Sequence, residues 1–232
     1  MRRLPRCPGK RHLSWHLNEL RKLEECVMLR RSGAGISLIA CLFLWLDAPG
    51  ANAQNSQRDS WQQPEKIMDS LGIGPGMVIG EAGAGQGYFT FHLAKRVGET
   101  GRVYANDIDR RALRRIEERC KEEGVHRITT VIGKVDDPLF PNGKLDGVVI
   151  MMAFHDFDKP VEWMKNVIPA LKPGAFLAII DPDPEKVPQD RDHFWSKKKI
   201  LATMEKTDFV LVHLYTFLER DNIYVYEVKD NR

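Results

Sequence analysis

Two stretches of this chain gather residues able to do chemistry. In the first, Met77-Val-Ile-Gly-Glu81-Ala-Gly83-Ala-Gly85-Gln-Gly87, an apolar run enters a turn of alternating glycines. Glycine lets the backbone take positive φ and lets a ligand come close, and the helix that follows presents free N–H groups to it. Glu81 stands two positions before the first of these glycines, where it would repel a pyrophosphate; it suits a ligand carrying an ammonium or a sulfonium. About twenty residues further on, Arg102-Val-Tyr-Ala-Asn ends in Asp107, an acid placed to accept both hydroxyl protons of a ribose. The second stretch, Gly147-Val-Val-Ile-Met-Met-Ala153-Phe154-His155-Asp156, leaves an apolar strand on polar groups. An imidazole titrates near neutrality, so His155 is the candidate base or orienting group for an acceptor, with Asp156 next; the competing reading is a hydrogen-bonded loop histidine.

The elements that must position these residues are legible from periodicity. Strands are predicted at Met77 to Glu81, Arg102 to Asn106, Ile128 to Ile132, Gly147 to Met151, Phe176 to Ile180, Phe209 to Leu214 and Ile223 to Val228, alternating with helical patterns. A first helix is expected near Gln62 to Leu71. Phe89, Leu93 and Val97 make the buried stripe of a second helix, and Asp109 caps a third that Gly124 ends. Asp158 with Pro160 opens a fourth, closed by Lys172-Pro173-Gly174. This order implies an α/β fold: a Rossmann-like, doubly wound, seven-stranded and mostly parallel sheet, its last strand antiparallel.

The segments Val78-Ile-Gly-Glu-Ala-Gly-Ala-Gly-Gln-Gly87, Val103-Tyr-Ala-Asn-Asp-Ile-Asp109 and Leu171-Lys-Pro-Gly174 resemble class I S-adenosylmethionine-dependent methyltransferases, over roughly residues 62 to 228. The resemblance implies that Glu81, Gly83, Gly85 and Gly87 surround the methionine part of S-adenosylmethionine and that Asp107 holds its ribose. It also implies that an acid after the third strand, Asp136 or Asp137, meets the adenine amine. The acceptor is expected at the end of the fourth strand, beside His155 and Asp156, with Asp181-Pro-Asp183 and His193-Phe-Trp195 as further walls. That segment lacks the Asn/Asp-Pro-Pro-Tyr motif of methyltransferases that act on planar amino groups. A small-molecule acceptor is the leading expectation, with a protein acceptor second; the alternative is a non-catalytic cofactor-binding or interaction protein on the same fold. A nicotinamide-dependent oxidoreductase is disfavoured by the G-x-G-x-G spacing and by Glu81.

Composition narrows the partners. The chain has 232 residues and a net charge of +3, but residues 1 to 35 hold nine Lys or Arg against three Asp or Glu, which leaves the remainder at about −3. The folded part is therefore no basic nucleic-acid binder. The four cysteines, at 7, 26, 41 and 120, form no C-x-x-C pair, and neither a disulfide framework nor a metal centre is expected.

Met28-Leu-Arg30-Arg31, the apolar run Ile36 to Leu46 and the small-residue site Ala51-Asn-Ala53 follow the order of a signal peptide, with cleavage expected after Ala53. The run is too short for a stable transmembrane span. The expected organisation is an N-terminal extension or misassigned start at 1–27, a signal peptide at 28–53, a linker at 54–61 and the methyltransferase domain at 62–232. Export to the periplasm or medium is the expectation, with a cytoplasmic or membrane-anchored protein as the alternative.

Overall fold

A computed structural model describes residues 51–190 and 192–229. The expected extension at 1–27 and the signal peptide up to residue 50 lie outside the described residues. No helix among the described residues is long and apolar enough to cross a membrane.

In chain order the elements are α1 (Ala51–Gln62), α2 (Pro64–Ser70), β1 (Val78–Ala82), α3 (Tyr88–Val97), β2 (Arg102–Asp107), α4 (Arg110–Glu123), β3 (Ile128–Ile132) and β4 (Leu145–Met151). Then come a 3-10 turn (Phe154–Asp156), α5 (Pro160–Val167), β5 (Leu171–Pro182), α6 (Lys197–Met204), β6 (Phe209–Tyr215) and β7 (Asp221–Val228). The sheet order is β3-β2-β1-β4-β5-β7-β6. The first five strands run parallel, and β7 is antiparallel to both β5 and β6. This is the expected Rossmann-like sheet with its last strand reversed.

Strand alternation explains how one sheet carries two cores. Val149 and Met151 of β4 face a cluster with Ile67, Met68, Phe89, Leu93 and Val97 from α2 and α3. Their neighbours Val148 and Ile150 face the other side, where Trp163, Met164 and Val167 of α5 and Ile200 of α6 cover them. Because both faces are dry, the central strands read as continuous apolar runs rather than alternating ones. Leu113 and Ile116 of α4 close a smaller cluster against Ala105 and Phe91, with Cys120 half-buried at its edge.

Four local expectations change. Residues 54–61, expected as a linker, are helical within α1. The helix expected from Gln62 onward begins instead at Pro64, because Gln63 takes a left-handed φ of 51°; a residue preceding proline is disfavoured in the helical region. Asp158 provides no cap for α5, since Lys159 occupies the cap position and Pro160 the first turn. Lys172-Pro173-Gly174 lies inside β5, which pairs Leu171 with Leu145 and, after a register shift, Phe176 with Gly147. Gly174, at φ 76°, absorbs that irregularity.

The consequence for function lies at β1. It sits between β2 and β4, so chain connections leave it in opposite directions and a crevice opens beyond the carboxyl ends of β1 and β4. Gly83 follows β1 there and Ala153 follows β4.

Candidate functional site

Two cavities meet in that crevice. The larger, about 680 Å³, is lined by Arg58, Trp61, Glu81, Gly85, Tyr88 and Arg220 among others. The smaller, about 330 Å³, is lined by Asp107, Ile108, Lys134, Val135, Asp156 and Phe157 among others. Gly83 and Met152 line both. The pair therefore describes one elongated trough, pinched where the turn after β1 passes the end of β4, and each part has the size of a ligand site.

The pinch is set by sterics. A Cβ at Gly83, which has φ 71°, would land on the Cβ of Ala153. Gly85, at φ 54°, has nothing within 4 Å of where its Cβ would be, so this part of the turn is open to a ligand. Gly87 does different work: it precedes α3 at φ 89°, and a Cβ there would come within 3.0 Å of Ile116. Met152 is one of three non-glycine residues at positive φ among the described residues. Such backbone strain is seen where a site over-determines its geometry.

Asp107 is fixed by backbone amides. Its Oδ2 accepts from the Gly85 N–H at 2.8 Å and its Oδ1 from the Asp109 N–H at 2.8 Å. A carboxylate offers about four acceptor directions, so two remain for a diol. Asp109 itself caps α4 by accepting from the Arg111 N–H, as expected.

Glu81 is 1% exposed, and its Oε2 accepts from the Thr90 hydroxyl at 2.5 Å. Burial pushes its carboxyl up to about 8, with the Thr90 bond and the charge of Arg58 pulling the other way. Arg58 reaches this region from α1. Its guanidinium lies 3.7 Å from the Tyr88 ring centroid, its Nε donates to Gln62 at 2.8 Å, and the Tyr88 hydroxyl donates to Asp59 at 2.7 Å. Gln62 in turn donates to Asp221 of β7 at 2.7 Å. Helix α1 thus belongs to the site, which sequence reasoning missed; Trp61 just before the helix break was its one visible signal.

Asp136 and Asp137 line neither cavity. Asp136 pairs with Lys159 at 3.3 Å, and Asp137 folds back to accept from the Leu139 N–H at 2.9 Å. An isolated bridge pairs Lys134 with Asp137, and it is Lys134 and Val135 that line the smaller cavity.

At the end of β4, Asp156 lines the smaller cavity, while the His155 side chain lies behind it, 3% exposed. His155 Nδ1 is 2.9 Å and 3.0 Å from the two carboxylate oxygens of Asp181, which is fully buried. Burial lowers the imidazole pKa, but the Asp181 bond and charge outweigh it and the net shift is upward. His193 and Phe194 pack edge-on against His155, and Trp195 against Phe154. Asp183 is occupied by Asn222, which donates to it at 2.6 Å, and lines neither cavity.

The trough fits the adenosyl sulfonium that the sequence implies: an open glycine turn, a tethered acid for a diol, and a buried carboxylate facing an arginine across the wider half. Comparison with known proteins agrees. A family model described as a methyltransferase domain matches residues 79–174. The ubiquinone/menaquinone biosynthesis C-methyltransferase UbiE of Hydrogenovibrio crunogenus is 30% identical over 115 residues, 49% of this chain and 45% of that protein. Nocamycin O-methyltransferase of Saccharothrix syringae is 27% identical over 51% of this chain and 42% of its own length. The chain thus spans about half the length of the curated relatives it matches. Among solved structures, a SAM-dependent methyltransferase from Aquifex aeolicus has a TM-score of 0.69 at 21% identity, covering 76% of this chain and 97% of its own. Geranyl diphosphate C-methyltransferase from Streptomyces coelicolor, solved with Mg2+, geranyl diphosphate and S-adenosyl-L-homocysteine, has a TM-score of 0.60 at 16% identity over 74% and 80% of the two chains. A methyltransferase-domain model thus matches the segment that carries strand, turn and acid, and the chain shares the fold of solved S-adenosylmethionine-dependent methyltransferases over three quarters of its length.

Proposed function

We propose that this protein transfers a methyl group from S-adenosylmethionine to a small-molecule acceptor by direct displacement. The observation that carries the reading is the tie between Gly85 and Asp107, which holds turn and acid in one trough with the buried carboxylate of Glu81. The cofactor, when bound, supplies a methyl group already activated on a cationic sulfur. The protein's task is then to bind, to align and to exclude water. Asp107 accepts the ribose hydroxyls, Ile108 and Val135 pack the base, and Glu81 with Arg58 receives the two charges of the amino-acid end. His155 and Asp156, at the end of β4, serve the acceptor, by orienting it or by drawing off its proton. Relatives named for quinone biosynthesis, nocamycin and geranyl diphosphate support an acceptor of small-molecule size.

Calorimetry with S-adenosylmethionine and S-adenosylhomocysteine tests the first half, and release of S-adenosylhomocysteine across a panel of acceptors tests the second. Absence of heat with both ligands would overturn the reading. Heat with both but no turnover on any acceptor class would leave a cofactor-binding protein in its place.

The expected export remains part of the proposal. Cleavage after Ala53 would spare Arg58 and Asp59 and every contact they make, so a mature chain keeps its site. The mass of the mature N-terminus decides it, and a chain beginning at Met1 would reject it.

A further inference from the structure

One buried titratable group beside the trough has no part in holding the cofactor. His155 lines neither cavity, and its imidazole is held by the fully buried Asp181. With Nδ1 within 3.0 Å of both oxygens of a fully buried carboxylate, the proton sits on Nδ1 and donates to Asp181. In the neutral ring the other nitrogen, Nε2, then carries the lone pair. It faces Asp156 Oδ2 at 3.6 Å, too far for a hydrogen bond. On its remaining side stands His193, its ring 5.0 Å away centroid to centroid and tilted by 74°.

One donor atom each from His155, Asp156 and His193 fall within 4.8 Å of one another. Donors bound at about 2.1 Å to a four-coordinate ion stand roughly 3.4 Å apart. The gap closes by about an ångström or so, a movement available to Asp156 and His193, which are both exposed, while His155 stays put. Charge points the same way. Among the described residues neither Asp156 nor Asp181 is paired with a lysine or arginine, so two carboxylates face two imidazoles with no resident cation. A buried carboxylate behind a histidine is the arrangement that fixes the tautomer and raises the basicity of a metal-bound imidazole.

We propose that His155 Nε2, Asp156 and His193 bind one divalent transition-metal ion of the zinc class, with Asp181 as the positioning residue behind His155. Two imidazoles and a carboxylate leave an open coordination position. Asp156 also forms part of the smaller cavity, so the ion stands at its wall and the open position is available to an oxygen or nitrogen of a bound molecule. The inference rests on these four side chains and not on methyl transfer. Sequence spacing gave no sign of it, because His193 comes from the far side of β5.

The test uses the untagged full chain, stripped by a chelator and titrated with Zn2+ by calorimetry and against a chromophoric indicator. One equivalent is expected to bind, and Co2+ in its place is expected to give the intense visible absorption of a four-coordinate ion. Saturating Zn2+ should raise the melting temperature of the wild type. His193→Ala, at an exposed position, should keep the metal-free melting temperature, lose the Co2+ spectrum and show no Zn2+-induced rise. Asp181→Asn should weaken binding about tenfold to a hundredfold while leaving one equivalent. Binding that is sub-stoichiometric, or that His193→Ala and Asp156→Asn leave unchanged because the ion sits on other histidines such as His12 and His16, would overturn the proposal. Cofactor calorimetry on the same samples keeps the two readings apart: His193→Ala should still bind S-adenosylhomocysteine, and failure of either ligand alone identifies which reading has failed.

Discussion

The Oδ2 atom of Asp107 accepts the backbone N–H of Gly85 at 2.8 Å, so the acid that ends β2 and the glycine turn that follows β1 are one mechanical unit. The register of the two strands makes this possible, with Ala82 opposite Asn106. Asp107→Ala therefore removes the proposed ribose acceptor and releases the turn together. A hydrogen bond to a charged group contributes about 1.5–3 kcal/mol. The variant should bind S-adenosylhomocysteine about tenfold to a hundredfold more weakly by calorimetry, and Asp107→Asn, which keeps an oxygen, should lose less.

Gly83 and Gly85 both take positive φ, but only one of them is crowded. Gly83→Ala drives a methyl group onto Ala153 and adds left-handed strain, so it should lose about 2 kcal/mol or more in urea unfolding and should also lose cofactor binding. Gly85→Ala meets open space and should lose only about 1 kcal/mol of stability. Its methyl group stands where the ligand approaches, so its binding defect should exceed its stability defect. Equal losses at the two positions would contradict an open ligand face at Gly85.

Much of the sheet was legible because both its faces are dry. β3 spans Ile128–Ile132 as its β-branched run predicts, and β1, β2 and β4 differ from expectation by one or two residues at their ends. β5 begins earlier than expected because Lys172-Pro173-Gly174 is absorbed as an irregularity within the strand, not as a stop. Helix α1 was illegible for a different reason. Its site contacts come from Arg58, Asp59 and Gln62, polar side chains that give no apolar period to read. The glycines and Asp107 could be placed because turn chemistry is local. Asp181 and His193 are expected near His155 from the strand ends, but their particular contacts, the Asp181 hydrogen bond and the His193 ring, could not be read, since they depend on how β5 and the segment before α6 return to the end of β4.

Glu81 gives the site a pH dependence whose sign can be fixed. Burial raises its carboxyl to about 8, so the ligand-free protein holds a proton there at neutral pH. An unfolded chain returns the group to its ordinary value of 4.5, so the folded state binds more protons between the two values. The contribution to stability is full below 4.5 and drains as pH rises through about 8. Melting temperature should fall with pH over that window more steeply in the wild type than in Glu81→Gln. A cationic ligand prefers the carboxylate, so S-adenosylmethionine affinity should rise by up to about tenfold per pH unit from about pH 6 to about pH 7.5. Glu81→Gln should flatten that rise, and a rise of the same slope in the variant would place the titrating group elsewhere.

The acids after β3 separate the expectation from the geometry. Asp136 pairs with Lys159, and Asp137 holds the turn through the Leu139 N–H, so neither reaches the trough. Asp136→Asn should leave S-adenosylhomocysteine affinity within about threefold, the range of an exposed ion pair. Asp137→Ala should lower stability by about 1 kcal/mol through the lost turn bond, again with little effect on affinity. A tenfold loss in Asp136→Asn would restore that residue as the adenine contact.

Arg58 offers the sharpest division of the trough into two ends. It stacks on Tyr88 and lines the wider cavity with Glu81, and where it meets the lining of the narrower cavity it does so at the Met152 sulfur, 3.4 Å away, a residue that lines both. Burial lowers its pKa, yet a guanidinium stays charged under ordinary conditions. Its partner in the proposed complex is the carboxylate of the amino-acid end, which methylthioadenosine lacks. Arg58→Ala should therefore weaken S-adenosylhomocysteine about tenfold or more while leaving methylthioadenosine almost unchanged, whereas Asp107→Ala should weaken both. Arg58→Lys keeps the charge but not the planar stack and should recover only part of the loss. If Arg58→Ala weakened both ligands alike, the arginine would be acting through the packing of α1 on Tyr88 instead of through the ligand's carboxylate. The melting temperature of the ligand-free variant would then fall in step with its affinity.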